Sequence, residues 1–234
     1  MAEFGDLLAR LTTAVARAAP AAPLSSRLCE AYRELAGATG AAITVRYREP
    51  HRITLCATDE VSSRLEDLQD VIGEGPGHSA AETGQIETCL VPASGTSRWT
   101  MFVEAAQDVV DDVVIHAVPM QPSDHVFGVV TLYQSPQPAP ELGLPQTELQ
   151  LLANALGAAL IRDTTVLDDA DDAELGPWGS RARVHQATGM IVASLHISPN
   201  DALALLRAHA YAHQTSLSDI ATDVVERRLN FPYT

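Results

Sequence analysis

A run of polar and basic residues near the C-terminus carries the clearest potential chemistry in this chain. Guanidinium groups pair with phosphates, and imidazole, amide and hydroxyl groups form hydrogen bonds with bases. The apolar positions of this stretch recur at helical spacing, which predicts a helix whose polar residues lie mainly outside the apolar stripe. The polar residues are candidate nucleic-acid contacts, or else an ordinary solvated helix face: Arg181, Arg183, His185, Gln186 and Thr188.

The distribution of charge limits where a nucleic acid could bind. The chain has a net charge of −15, and all 15 of its basic residues are arginine. Such acidity disfavours broad contact with phosphates, which requires a local positive potential. Residues 163–175 carry six acids and no base, whereas residues 176–234 carry four acids and five arginines. Nucleic-acid binding is therefore expected in the C-terminal segment, with modest, salt-sensitive affinity for each copy.

Other kinds of site find little support. The turn Gly73–Gly77 resembles a phosphate loop, but no Gly-Lys-Ser/Thr follows, and the chain contains no lysine. His209 and His213 have a metal-compatible spacing without a nearby cysteine or carboxylate cluster. No Gly-x-Ser-x-Gly motif or triad is present. We predict no metal, no cofactor and no enzymatic activity.

The cysteines and the hydropathy indicate a cytoplasmic protein. Cys29, Cys56 and Cys89 lie far apart and form no CxxC pair, a pattern typical of reduced, mostly buried thiols. No run of about 18 uncharged apolar residues occurs, which predicts no membrane span. The N-terminus carries acids where a secretory signal would carry basic residues.

Alternating helix and strand periods predict an α+β fold in the first 162 residues, with a central antiparallel sheet. The N- and C-terminal helices of this domain are expected together on one face. Helices are predicted at 3–18, 25–36, 61–70, 98–107 and 146–162, and strands at 41–47, 53–57, 86–91, 113–118 and 126–133.

An acidic linker at 163–179 is predicted to lead into a small all-α module at 180–234. Its three helices are expected at 180–195, 199–213 and 217–229, and Ser198 and Ser216 are candidate caps. Three helices in about 50 residues bury little surface, so the module should lean on the first domain or on a second copy. This need is a reason to expect a homodimer.

Three segments of the module resemble the ANTAR domain. They are Arg183-Val184-His185-Gln186-Ala187-Thr188-Gly189-Met190-Ile191, then Ser198-Pro199-x-x-Ala202-x-x-x-Leu206-Arg207-x-x-Ala210, and finally Leu217-x-x-Ile220-Ala221-x-x-Val224-Val225. The first 160 residues resemble the GAF domain that often precedes ANTAR in actinobacteria. That resemblance rests on Gly73-Glu74-Gly75-Pro76, on Arg98-Trp99 and on the strand Val126–Tyr133.

The resemblance implies a transcription antitermination regulator. Such proteins bind tandem RNA hairpins in nascent transcripts, often as dimers, under control of a sensor that receives a small-molecule or protein signal. The resemblance also adds Arg207 to the candidate RNA contacts. Alternatively, Arg207 pairs with a carboxylate such as Asp223. Many ANTAR sequences have lysine where Thr188 stands. The implied structural core consists of Ala187, Gly189, Ala202, Leu206, Ala210 and Ala221.

Two other classes of function stay open. The C-terminal helices could form a protein-interaction or dimerisation module without RNA binding. They could also form a helix-turn-helix that binds DNA, although Asp219 and Asp223 would then lie at the reading end of the recognition helix. The connecting turn also lacks the usual glycine.

Overall fold

The computed structural model describes residues 2–46, 52–92, 97–134, 142–163 and 177–231. Tyr47, the predicted Glu49-Pro50-His51 turn and most of the acidic linker lie outside these ranges. The elements are α1 (Ala2–Arg17), α2 (Leu24–Ala36), β1 (Gly40–Arg46), β2 (Arg52–Ala57), α3 (Glu60–Ile72), α4 (Pro76–Thr83), β3 (Glu87–Val91), α5 (Thr100–Ala106), β4 (Val113–Met120), β5 (Gly128–Gln134), α6 (Gln146–Arg162), α7 (Pro177–Leu195), α8 (Pro199–Ala212) and α9 (Leu217–Val225).

Five strands form one antiparallel sheet in the order β2-β1-β5-β4-β3. The central strands β1 and β5 are almost entirely buried, since helices cover both faces of the sheet. The sheet and its helices (residues 2–162) are called the sheet domain below. The predicted fold class, an antiparallel sheet with flanking helices followed by a small helical module, is confirmed.

Helices α1, α2 and α6 share one face of the sheet and build the largest apolar core with it, as the expected pairing of terminal helices requires. Tyr32 of α2 is completely buried there, and its hydroxyl donates a hydrogen bond to the Leu149 carbonyl of α6 at 2.9 Å. This bond satisfies the one polar atom of the tyrosine side chain that burial between the two helices would otherwise leave without a partner.

Helices α3, α4 and α5 cover the opposite face. Gly73 ends α3 in the left-handed conformation, with a φ of +79° that glycine adopts without steric cost. The predicted turn is therefore present, but it is shorter than expected. Pro76 already occupies the first position of α4, so Gly77 is helical.

The C-terminal module (residues 177–231) contains three helices, of which α7 begins at Pro177, inside the segment predicted as linker. Ser198 and Ser216 accept hydrogen bonds from the Asp201 and Asp219 backbone amides at 3.2 and 3.1 Å. Helix α9 ends at Val225 rather than at 229, since Arg227 adopts a positive φ of 60°.

Five small or apolar residues fill the centre of the module without any solvent exposure, namely Ala187, Ala202, Leu206, Ala210 and Ala221. Gly189, expected in the same core, lies instead on the exposed face of α7, and a Cβ added there would meet nothing within 4 Å. The periodicity explains this correction, because Gly189 is two residues from Ala187 and therefore points away from the buried stripe.

No single helix within the described ranges is long and apolar enough to cross a membrane. The segments Arg183–Leu195 and Pro199–Ala212 pass such a test only as a pair, and they are bent by 111° relative to each other.

Candidate nucleic-acid interface

Helix α7 presents part of the predicted contact set at its surface. Gln186 is exposed, on the same side as the bare backbone of Gly189. Arg183 and His185 are half-buried at the rim of this face. The Arg181 backbone is helical, but its side chain lies outside the described part of the chain. The helix therefore offers a guanidinium, an amide and an imidazole along one side.

Arg183 is held near the end of α9 by an ion pair. Its Nη1 lies 3.4 Å from Oε1 of Glu226, and the two side chains keep 38% and 42% of their surface exposed. An exposed pair of this kind contributes little to stability, about 0–1 kcal/mol. A phosphate could therefore replace Glu226 as the partner of Arg183 at small cost.

Thr188 is not accessible at the surface of α7, which corrects the expectation that it contacts RNA. Its side chain is only 4% exposed, and its hydroxyl donates to the Val184 carbonyl at 2.7 Å. Thr188 lies one turn after Val184 and so continues the buried stripe of α7. In this arrangement its hydroxyl cannot reach an RNA.

The C-terminal module docks on the sheet domain. Helix α7 packs along the edge strand β2, while α8 and α9 pack on α3. Val71 of α3, which is 6% exposed, is a member of the module's own apolar cluster. The edge of β2 would otherwise present unpaired backbone groups, so the docking also protects the sheet. The small core of the module is thus completed by the first domain.

Arg207 is half-buried at this domain interface. Its guanidinium lies against the Gly73 turn, where an added Cβ would be 3.2 Å from Nη1. Its Nε is buried and has no hydrogen-bond partner within the described residues. Burial lowers the pKa of Arg207, and the positive charge of Arg52 lowers it further, while Asp70 opposes both effects.

The RNA contact of Arg207 stays a prediction, because α3 covers only part of its side chain in this arrangement. The alternative partner Asp223 is not available to it, since the Asp223 carboxylate pairs with Arg228 at 2.6 Å. Arg207 is therefore a cation in a closed interface whose Nε is unsatisfied within the described part of the chain.

A buried polar network lies beneath the interface, and it was not predicted from the sequence. Glu66 of α3 is 1% exposed and accepts hydrogen bonds from Thr44 at 2.9 Å, Arg52 at 3.1 Å and Gln69 at 2.8 Å. Gln69 in turn accepts from the Gly77 amide at 2.7 Å. The available signal was a polar pair three residues apart on the buried side of α3, which fits a hydrogen-bonded network.

His78 of α4 adds a titratable group to this region. Its Nε2 lies 3.0 Å from the Gln69 carbonyl. Burial is the main cause that lowers the pKa of His78 to about 3, and the charges of Arg52 and Arg207 lower it further. The imidazole is therefore neutral at pH 7 and donates this hydrogen bond from Nε2.

The His78 shift predicts acid sensitivity. The folded-state pKa of about 3 is below the ordinary 6.5, so the contribution of His78 to stability is complete above pH 6.5 and is lost as the pH falls towards 3. Urea unfolding at pH 7 and pH 5 should show a larger loss of stability for the wild type than for His78→Gln, which keeps a donor but cannot titrate. Equal losses would contradict the prediction.

Between the two domains lies a cavity of about 340 Å³. Strand β2 and α3 form one wall, and α7 and α9 form the other, so a molecule in the cavity would contact both domains. Its lining mixes apolar side chains with Asp70 and Ser218.

No group of three or more metal-ligating side chains occurs among the residues the structure describes. His209 and His213 stack on each other with ring centroids 4.3 Å apart.

Similarity to known proteins differs between the two domains. Residues 179–225 match the family model of the ANTAR domain. No curated protein matches the chain. Among solved structures, a GAF domain of A. aeolicus in an inactive state shares 11% identity at a TM-score of 0.45, covering 66% of this chain and 93% of that one.

Two further structures are similar at lower scores. A GAF domain of Synechocystis in its photoproduct state shares 16% identity at a TM-score of 0.38, covering 60% of this chain and 92% of the other. An RNA-binding light-oxygen-voltage receptor shares 14% identity at a TM-score of 0.24, covering 81% and 47%. The family match agrees with the bounds of the three helices α7, α8 and α9, and residues 179–225 of this chain form an ANTAR domain.

Proposed function

We propose that this protein is an RNA-binding transcription antitermination regulator, in which a GAF-like sheet domain at 1–162 controls the ANTAR module at 180–234 through the segment 163–179. The ANTAR match carries the proposal. The regulator would bind tandem hairpins in nascent transcripts in the cytoplasm. Its role is binding and signalling, without catalysis.

The exposed face of α7 is the proposed first contact with RNA. Arg183 would pair with a phosphate, and Gln186 and His185 would bind the edges of unpaired loop bases. Gly189 supports this assignment, since glycine inside a helix costs about 0.5–1 kcal/mol relative to alanine. A Cβ added at Gly189 would meet nothing within 4 Å, so lack of space does not explain the glycine. A bare backbone on an exposed helix allows close approach of a nucleic-acid strand.

The docked interface supports control by the sheet domain. It covers part of Arg207, whose Nε is buried, so this residue is not fully accessible while the module is docked on α3 and β2. A small-molecule or protein signal that favours the undocked arrangement would then raise the RNA affinity. The cavity of about 340 Å³ between the domains suits a small molecule.

A homodimer is the proposed binding form. One module carries few positive charges, which limits its affinity for a single hairpin. Two modules held together would bind two linked hairpins with a raised effective concentration at the second site. The spacing between hairpins would then matter for affinity, and sedimentation with and without RNA would reveal the stoichiometry.

A gel-shift titration of the full chain against a tandem-hairpin RNA tests the proposal. Arg183→Ala is expected to weaken binding about tenfold, which corresponds to the loss of about 1.4 kcal/mol from one charge-assisted contact. The matched control is Arg10→Ala, because Arg10 is exposed on α1 and its loss changes the net charge equally.

The other classes of function predict different outcomes. Equal binding of a duplex DNA of the same length would favour the helix-turn-helix alternative. No binding of RNA by the wild type or by variants that open the interface would favour a protein-interaction module. An equal loss for Arg183→Ala and Arg10→Ala would mean that the contact surface lies elsewhere.

A further inference from the structure

An irregularity in the sheet determines where Cys56 points. Ile43 of β1 pairs with Cys56 of β2 and Val45 pairs with Ile53, and the register shifts between Ile43 and Thr44. Cross-strand partners lie on the same face of a sheet. Cys56 therefore shares the face of Ile43 and Ile53, although it is three residues from Ile53. The bulge adds the one residue that makes this possible.

This face of the sheet is covered by α2, which contains Cys29. The Cys56 thiol donates a hydrogen bond to the Ser25 carbonyl at 3.2 Å. Ser25 precedes Cys29 by one helical turn, so the two thiols meet where α2 crosses β2. In agreement with this contact, a hydrogen bond with Cys56 is the largest cause that raises the pKa of Cys29, and burial is the second.

The two thiols differ in access. Cys56 is half-buried and lines the cavity of about 340 Å³ between the domains. Cys29 is 1% exposed and belongs to the apolar core under α2. Cys89 lies on β3 at the opposite edge of the sheet, where burial raises the pKa of its thiol to about 12. Because Cys56 is more exposed than Cys29 and Cys89, a small oxidant would reach Cys56 first.

We propose that Cys56 and Cys29 form a peroxide-sensitive thiol pair that closes into an intramolecular disulfide. The Cys56 sulfur attacks the O–O bond of a hydroperoxide, so that an S–O bond forms, the O–O bond breaks, and water or an alcohol leaves. The Cys29 sulfur then attacks the Cys56 sulfenic acid, its proton leaves with the hydroxyl as water, and the S–S bond forms. The two thiols lose two electrons and the peroxide gains them.

The position of this thiol pair allows the disulfide to affect the docking of the ANTAR module. Cys56 shares the cavity wall with Val184 of α7 and Leu217 of α9. Drawing Cys56 towards α2 changes the edge strand on which α7 is docked. Formation of the disulfide itself does not depend on the proposed RNA binding, so the two proposals can be tested separately.

The test treats the reduced full-length protein with hydrogen peroxide, alkylates the remaining thiols and maps the peptides without reduction. We expect loss of two of the three thiols, a crosslinked Cys29–Cys56 peptide and an alkylated Cys89, with all three thiols recovered by a reductant. Cys89→Ser should behave like the wild type. Cys29→Ser should stop at a Cys56 sulfenic acid, which dimedone would trap.

Three results would overturn the proposal: oxidation of Cys89 before Cys56, disulfides that join two chains, or full alkylation of Cys29 and Cys56 after treatment. The wild-type peptide map decides among these results without relying on the folding of any variant. Gel shifts of the same oxidised and reduced samples would then report whether the disulfide affects RNA binding.

Discussion

Replacing Glu66 with alanine is expected to lower the free energy of unfolding by about 3–5 kcal/mol, because it leaves the buried Arg52 guanidinium without its closest carboxylate. Glu66 is 1% exposed and accepts three side-chain hydrogen bonds, including the one from Arg52 at 3.1 Å. Asp70, 3.7 Å from the other terminal nitrogen of Arg52, is too distant to take its place. Urea unfolding monitored by circular dichroism measures the change.

A control on the same helix separates this effect from a general loss of charge. Glu60 is exposed at the start of α3, and Glu60→Ala should change the stability by at most about 0.5 kcal/mol. The double variant Arg52→Met with Glu66→Leu should recover much of the loss, since it removes both charges. A small effect of Glu66→Ala alone would mean that solvent reaches Arg52 readily and that the network is not a closed one.

Replacing Arg207 with methionine is expected to change stability and RNA binding in opposite directions. Methionine retains a long unbranched side chain and removes a buried donor that has no partner within the described residues. The cost of such a donor is about 1–3 kcal/mol, so the docked protein should gain about that much stability. RNA affinity should fall about tenfold or more, because the closed interface becomes more stable and a phosphate contact is lost.

The control for Arg207→Met is Arg228→Met, which removes the same charge from the same module at an exposed position. Arg228 keeps 58% of its side chain accessible and pairs with Asp223 and Glu226. The Arg228→Met substitution should leave the docked interface unchanged. A parallel loss of stability and of RNA affinity in Arg207→Met would show instead that the guanidinium supports the closed interface, contrary to the prediction.

Two arginines, Arg52 and Arg207, bring positive charge to the domain interface. Arg52 pairs with Glu66, and Arg207 of the ANTAR module lies near Arg52. Arg52 Nη1 and Arg207 Nε are both buried without a hydrogen-bond partner among the described residues. The unsatisfied Nε of the half-buried Arg207 weakens the docked state, and a phosphate would stabilise the released state. The interface is therefore suited to exchange an internal contact for an RNA contact.

The sequence by itself predicted the secondary structure closely where apolar residues recur at one period. Helix α6 has the predicted bounds of 146 and 162, and the capping serines Ser198 and Ser216 begin α8 and α9 at the expected residues. These features depend on neighbours within one or two turns, so local chemistry determines them. The ANTAR assignment rests on the same local pattern of small and apolar residues, and the family match bears it out.

What the tertiary structure decided involves contacts between residues far apart in the chain. Arg207 looked like a surface residue because helical periodicity describes one helix and not the elements that pack on it. The Arg52–Glu66 pair likewise gives no local signal, since a charged residue has the same pattern whether it is solvated or paired in a core. A single bulge in β2 places the Cys56 thiol beside α2, on the same face as Ile53, whereas strict alternation along the strand would put these two residues on opposite faces. Periodicity indicates which side of a helix or strand is apolar, whereas the docking of elements and the strand register determine which residues that side contacts.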